Sequence, residues 1–200
     1  MIFKTLNNWG IISTFKIILG EIYCYFFETK FKFKKINNIN TFDHLPTPLF
    51  ILKEIEEFLI NQKLYNSIIV DVGSGSGRFI CYMQKRKFQK IIGIENDDIL
   101  FKCAINNIKK NNLDKKKIKL INKDVFDFKF PKKTKVIYIF NPFNKSNTIK
   151  FISKIHKSLK NDVFIIYVTP IFLKEFRKKG YKIFYKRIIK KNRGYVILKN

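Results

Sequence analysis

With 200 residues, 46% of them hydrophobic and 16% aromatic, the chain has the size and apolar content of one domain with a full core, which excludes a disordered or low-complexity protein. Cys24, Cys81 and Cys103 are odd in number and show no C-x-x-C spacing, so they read as reduced core residues of a cytosolic protein, not as a zinc site or a disulfide framework. The formal charge of +26 suits a polyanionic partner, but only five of the 41 basic residues are Arg and Ala104 is the single alanine, the lysine-rich composition that an A/T-rich genome writes onto a solvated surface.

Residues 9–27 are apolar except for Lys16, Glu21 and a few small polar groups. Two internal charges argue against a spanning helix, and the segment lacks the basic start and small-residue cleavage site of a secretory signal. The first expectation is an amphipathic helix folded onto the domain. The second is a helix in a membrane interface, with residues 9–35 as a peripheral contact assisted by Lys30, Lys32, Lys34 and Lys35. Residues 1–45 are therefore read as an N-terminal extension and 46–200 as the main domain. Pro46-Thr47-Pro48 is a rigid lead-in to a helix over 49–62, with Leu52, Ile55 and Leu59 on one face; Thr47 reads as its cap.

The pattern then alternates: strand 67–72, helix 77–87, strand 90–95, helix 97–111, strand 117–122, strand 134–140, helix 145–160 and strand 162–168. Such alternation predicts an α/β fold with a parallel sheet covered on both faces, and the runs 68–70 and 136–140 are apolar enough for central strands. Asp97 and Asp98 suit a helix N-terminus, and Lys109 and Lys110 its C-terminus. Runs 181–189 and 194–199 flank Lys190-Lys-Asn-Arg193 and predict an antiparallel hairpin at the end, with Asn192 and Gly194 available for the turn. His44 and His156 have no neighbouring ligands and receive no metal role; His156, on the Ile149, Ile152, Leu159 stripe, is expected to be half-buried.

The chemistry concentrates in Asp71-Val-Gly73-Ser74-Gly75-Ser-Gly77, a glycine-rich turn between a strand and a helix. Bare backbone at a helix N-terminus lets a nucleotide cofactor lie against free N–H groups. A dinucleotide fingerprint wants its third small residue one place later, where this chain has Arg78. The G-x-G-x-G form resembles motif I of the class I S-adenosylmethionine-dependent methyltransferases. Three more segments fall at that family's intervals: the strand ending at Glu95, the strand leading to Asp124-Val125, and the strand running into Asn141-Pro142-Phe143.

The resemblance covers roughly residues 45–200 and implies a Rossmann-like sheet, mostly parallel with a C-terminal antiparallel hairpin, and S-adenosyl-L-methionine as cofactor. It implies that Asp71, Gly73, Ser74, Gly75 and Gly77 surround the cofactor. Glu95 would meet its ribose, Asp124 and the Val125 N–H its adenine, and Asn141 would border it. Asn141-Pro142-Phe143 resembles the Asn/Asp-Pro-Pro-Tyr/Phe motif of amino-directed methyltransferases, in which Asn and a main-chain carbonyl aim the target nitrogen; one proline here replaces two. The Pro-Thr-Pro segment and Gly-Ser-Gly-x-Gly also resemble Dot1-like and mitochondrial carrier-modifying lysine methyltransferases; in several methyltransferase subfamilies a similar segment lies over the cofactor, which implies an approach of Thr47 to the cofactor carboxylate. The expected activity is methyl transfer to a nitrogen of a protein or nucleic-acid acceptor. The alternatives are a basic RNA- or membrane-binding protein on the same fold, and an NAD-dependent reductase. The expected location is cytoplasmic, with membrane association if the N-terminal helix provides it.

Overall fold

In the computed structural model, which describes residues 6, 7, 9–23, 46–159 and 162–200, the two most apolar runs become the central strands. Ile68–Val72 (β1) and Thr134–Phe140 (β4) lie side by side in parallel, Val70 opposite Ile137 and Asp71 opposite Tyr138. Lys90–Glu95 (β2) and Ile118–Asn122 (β3) extend the sheet beyond β1. Beyond β4 come Phe164–Val168 (β5), then Arg193–Lys199 (β7), then Lys182–Lys190 (β6) at the edge. The order β3-β2-β1-β4-β5-β7-β6 is parallel except for the last two pairings, so the expected fold class holds.

The helices are Ile11–Tyr23 (α1), Leu49–Asn61 (α2), Arg78–Lys85 (α3), Asp98–Lys110 (α4), Lys145–Ser158 (α5) and Leu173–Lys178 (α6). Because side chains alternate along a strand, each central strand feeds two cores. Ile69, Val136, Tyr138 and Ile166 meet Ile51, Leu52, Ile55 and Leu59 of α2 and Phe79, Ile80 and Met83 of α3. Val70, Ile137, Ile139 and Ile165 meet Phe151, Ile152 and Ile155 of α5 and Phe176 of α6. The four α2 anchors are fully buried, and truncating one to Ala costs about 2–5 kcal/mol. Cys81 lies in the first core, where burial pushes its thiol up to about 12, and Cys103 is half-buried; Cys24 lies outside the described residues.

Several expectations are corrected. His156 is exposed, its ring 6.2 Å from that of Tyr181, because the buried stripe of α5 runs through Thr148, Phe151, Ile152 and Ile155 instead. Thr47 does not cap α2: Pro48 occupies the cap position, and the Thr47 hydroxyl bonds the Tyr138 hydroxyl on β4. In the terminal turn Lys191 takes the left-handed conformation, at φ 50°. Gly194 serves a close approach, since a β-carbon there would lie 2.0 Å from the Arg187 carbonyl oxygen. The short α6 gives too little periodicity to be read from sequence; fully buried Phe176 anchors it.

Candidate active site

The sheet order reverses between β1 and β4, and the crevice at the carboxyl ends of those strands is where open α/β sheets receive ligands. Asp71, near the end of β1, is 2% exposed, and desolvation, with Glu95 adding repulsion, raises its carboxyl well above the ordinary range. The loop then folds across to β2, the N–H groups of Gly73 and Ser74 both donating to the Ile94 carbonyl at 2.9 Å. Gly73 has φ 69°, and a β-carbon on it would lie 2.9 Å from Cβ of Pro142. The glycine loop and the segment after β4 are therefore in direct contact.

Glu95 closes the other side. Its Oε2 accepts from the Gly75 N–H at 2.7 Å and its Oε1 from the Asp97 N–H at 2.9 Å. Burial raises its pKa, and these two bonds pull it back. Each oxygen retains a lone pair for a further donor. From α4, Asn107 Nδ2 donates to the Ser76 carbonyl at 3.0 Å, and Ala104 faces Gly77, whose β-carbon would lie 3.2 Å from that of the alanine. The chain's single alanine thus stands where a larger side chain would press on the loop. Ser74 Oγ and Ser76 Oγ are buried with no hydrogen-bond partner among the described residues. Bare backbone, orphaned hydroxyls and two carboxylates that burial disfavours fit a polar ligand carrying positive charge.

On the β4 side, Asn141 is 5% exposed with φ 41°, uncommon for a residue other than glycine. Its Oδ1 accepts from the Tyr167 hydroxyl at 2.8 Å, and that hydroxyl accepts from the Phe172 N–H at 3.3 Å. Burial pushes the Tyr167 phenol up to about 12, so it stays a donor. One lone pair of the Asn141 oxygen is thus spent inside the protein, which the motif alone does not reveal. The Phe143 ring packs at 5.1 Å from Phe151 and 5.9 Å from Phe126, joining the second core by one side. Phe140 and Val168 are register partners, and the residue after each strand is left-handed; Thr169, at φ 51°, has a buried Oγ1 without a partner among the described residues.

Asp124 is exposed and caps the 3-10 turn Val125–Asp127, its Oδ1 accepting from the Phe126 N–H at 2.8 Å, while Val125 is buried. The site residues expected from the sequence therefore lie along one sheet edge, at the ends of β1 to β4. Sequence reasoning missed Tyr138, Tyr167 and Thr169. Tyr138 stacks on Phe79 at 3.9 Å and bonds Thr47. The only signal for Thr169 was its place between an apolar strand and Pro170.

Residues 69–162 match the family described as methyltransferase domain, a span that runs from β1 past α5 and includes both halves of the crevice. The match marks residues 69–162 as a methyltransferase domain, and the fold is that of the class I S-adenosylmethionine-dependent methyltransferases. Solved structures share the methyltransferase fold at low identity. A putative RNA methyltransferase from Pyrococcus horikoshii aligns with a TM-score of 0.62 at 18% identity, covering 84% of this chain and 90% of that one. A methyltransferase from Pyrococcus furiosus gives 0.61 at 16%, covering 94% and 98%. An RNA methyltransferase from Salinibacter ruber, in complex with S-adenosyl-L-homocysteine, gives 0.58 at 16%, covering 77% and 91%. No curated protein sequence matches the chain.

Proposed function

We propose that this methyltransferase modifies a nitrogen of a protein or nucleic-acid acceptor, with the Asn141-Pro142-Phe143 segment on the acceptor side of the crevice. The observation that carries the reading is the seating of Pro142 against Gly73, which ties the acceptor-motif segment to the cofactor loop at contact distance.

S-adenosylmethionine, when bound, supplies a sulfonium-activated methyl group open to in-line attack by a lone pair. Asp71, Gly73, Ser74, Gly75, Gly77 and Glu95 would hold it, with Asp124 and Val125 at the adenine end. The Ser74 and Ser76 hydroxyls offer hydrogen bonds they do not make among the described residues, and the raised pKa values of Asp71 and Glu95 relax when a cation arrives. Across the crevice, the Tyr167 hydroxyl orients the Asn141 amide, and the remaining lone pair of Oδ1 can accept an N–H of the target, aiming the nitrogen lone pair outward. No nucleophilic side chain is required of the protein. Residues 145–200 carry sixteen Lys and Arg against Asp162 and Glu175, a surface suited to an acidic or polyanionic acceptor, and two of the structural neighbours bear RNA methyltransferase names.

The test is calorimetric titration with S-adenosylhomocysteine beside an Asp71→Ala/Glu95→Ala variant, followed by transfer of labelled methyl to candidate proteins and RNA. The reading expects binding that the variant loses, and label on nitrogen that an Asn141→Ala variant fails to transfer. Label on oxygen or sulfur would refute nitrogen transfer, and a folded protein that ignores S-adenosylhomocysteine would overturn the whole assignment.

A further inference from the structure

Helix α1 is apolar on its outer side as well as where it meets the domain. Its domain side holds Thr14, half-buried Ile17 against the first core, and Gly20 tight against Leu49, while Ile11, Ile12, Phe15, Leu19 and Ile22 are 79, 75, 61, 49 and 49% exposed. Their spacing gathers them on one outward stripe, and an apolar patch of this kind marks an interaction surface. The helix is nevertheless firmly attached. Both oxygens of Glu21 accept from the Arg78 guanidinium, at 2.7 and 2.9 Å, and Trp9, 5% exposed, packs edge-on against Phe50.

Basic groups frame the stripe. At its start the Arg193 guanidinium lies 5.8 Å from the Trp9 ring, with exposed Lys190 and Lys191 on the same hairpin turn. At its end the Lys53 ammonium lies 5.3 Å from the Tyr23 ring, and exposed Lys16 borders the stripe. Of the nearby acids, Glu21 is bound to Arg78 and Glu54 to Arg187 at 2.6 Å, leaving Glu57 exposed on α2. Among the described residues no helix is long and apolar enough to cross a membrane. A second copy covering the stripe would set one basic frame against another, whereas an anionic bilayer offers apolar depth and negative charge together.

We infer that α1 is an interfacial helix that seats the enzyme on an anionic membrane surface, its apolar stripe in the headgroup boundary and its basic frame on lipid phosphates. The Glu21–Arg78 pair carries this attachment to the residue that follows Gly77, so the membrane-facing helix and the cofactor loop are held as one unit.

The experiment is co-sedimentation of the full chain with vesicles of phosphatidylcholine alone and with phosphatidylserine added, at low and high salt, beside light scattering without lipid. Binding to the anionic vesicles, weakened by salt, is expected. The variant Ile12→Glu/Phe15→Glu/Leu19→Glu should lose at least about tenfold in binding. Ile149→Glu, at a position 44% exposed on the far side of the sheet, should not. Single Phe15→Ser, with circular dichroism of every variant, guards against unfolding by the triple change and should weaken binding in the same direction. Absence of wild-type binding, equal loading on neutral vesicles, undiminished binding by the triple variant, or a dimer that the triple variant dissociates would each overturn the inference.

Discussion

Gly73→Ala tests whether the two halves of the site are joined where the crevice narrows. The conformational part of the cost is that of an L-residue at φ 69°, about 1–2 kcal/mol. The packing part arises because the new methyl would sit 2.9 Å from Cβ of Pro142, inside ordinary carbon contact, on a ring that cannot rotate away; overpacking of this kind costs about 1–3 kcal/mol. Gly180→Ala separates the two, since Gly180 has φ 95° and no atom within 4 Å of the added carbon. Urea denaturation should therefore find Gly73→Ala less stable than Gly180→Ala by about 1–3 kcal/mol, or about 2–10 °C in Tm. Calorimetry should find S-adenosylhomocysteine bound at least about tenfold more weakly by Gly73→Ala alone, since about 1.4 kcal/mol suffices. Equal destabilisation by the two variants, or wild-type affinity in Gly73→Ala, would refute the reasoning.

Burial raises the folded-state pKa of Asp71, so the native chain holds a proton that the unfolded chain releases near pH 3.9, and stability falls as pH rises through the window between the two values. Asp71→Asn should consequently be more stable than wild type at about pH 8 and gain little at about pH 3.5, while binding S-adenosylhomocysteine less well; urea titrations at both pH values check the sign. Tyr167→Phe removes the donor to Asn141 and the acceptor for Phe172, and should cost about 1–2 kcal/mol while lowering methyl transfer far more than cofactor affinity, a split visible by comparing calorimetry with labelled-methyl assays. Glu21→Gln weakens the paired hydrogen bonds to Arg78, and with one partner partly exposed the expected loss is about 1 kcal/mol, together with faster proteolysis within α1.

Most of the fold was legible because its signals are local. Apolar runs at 68–70 and 136–140 could only be strands buried on both faces, and the Asp97 cap, whose Oδ1 accepts from the Ile99 and Leu100 N–H groups, was readable from residue type and position. The glycine spacing pointed to the family for the same reason: positive φ and bare backbone are properties of the residues themselves. Thr47 and His156 were misjudged because their surroundings are not local. A helix cap competes with any other partner within reach, and the partner that won for Thr47 comes from Tyr138 on a strand 91 residues away.

The sequence by itself therefore determined the α/β alternation, the loop at 71–77 and the terminal hairpin, since each rests on periodicity or on the conformational range of single residues. It could not say that β7 would insert between β5 and β6, that Ala104 would face Gly77, that Tyr167 would take one lone pair of Asn141, or that Ile11, Ile12, Phe15, Leu19 and Ile22 of α1 would face outward. Those are outcomes of competition between distant groups for the same space and the same hydrogen bonds, and only tertiary packing decides them.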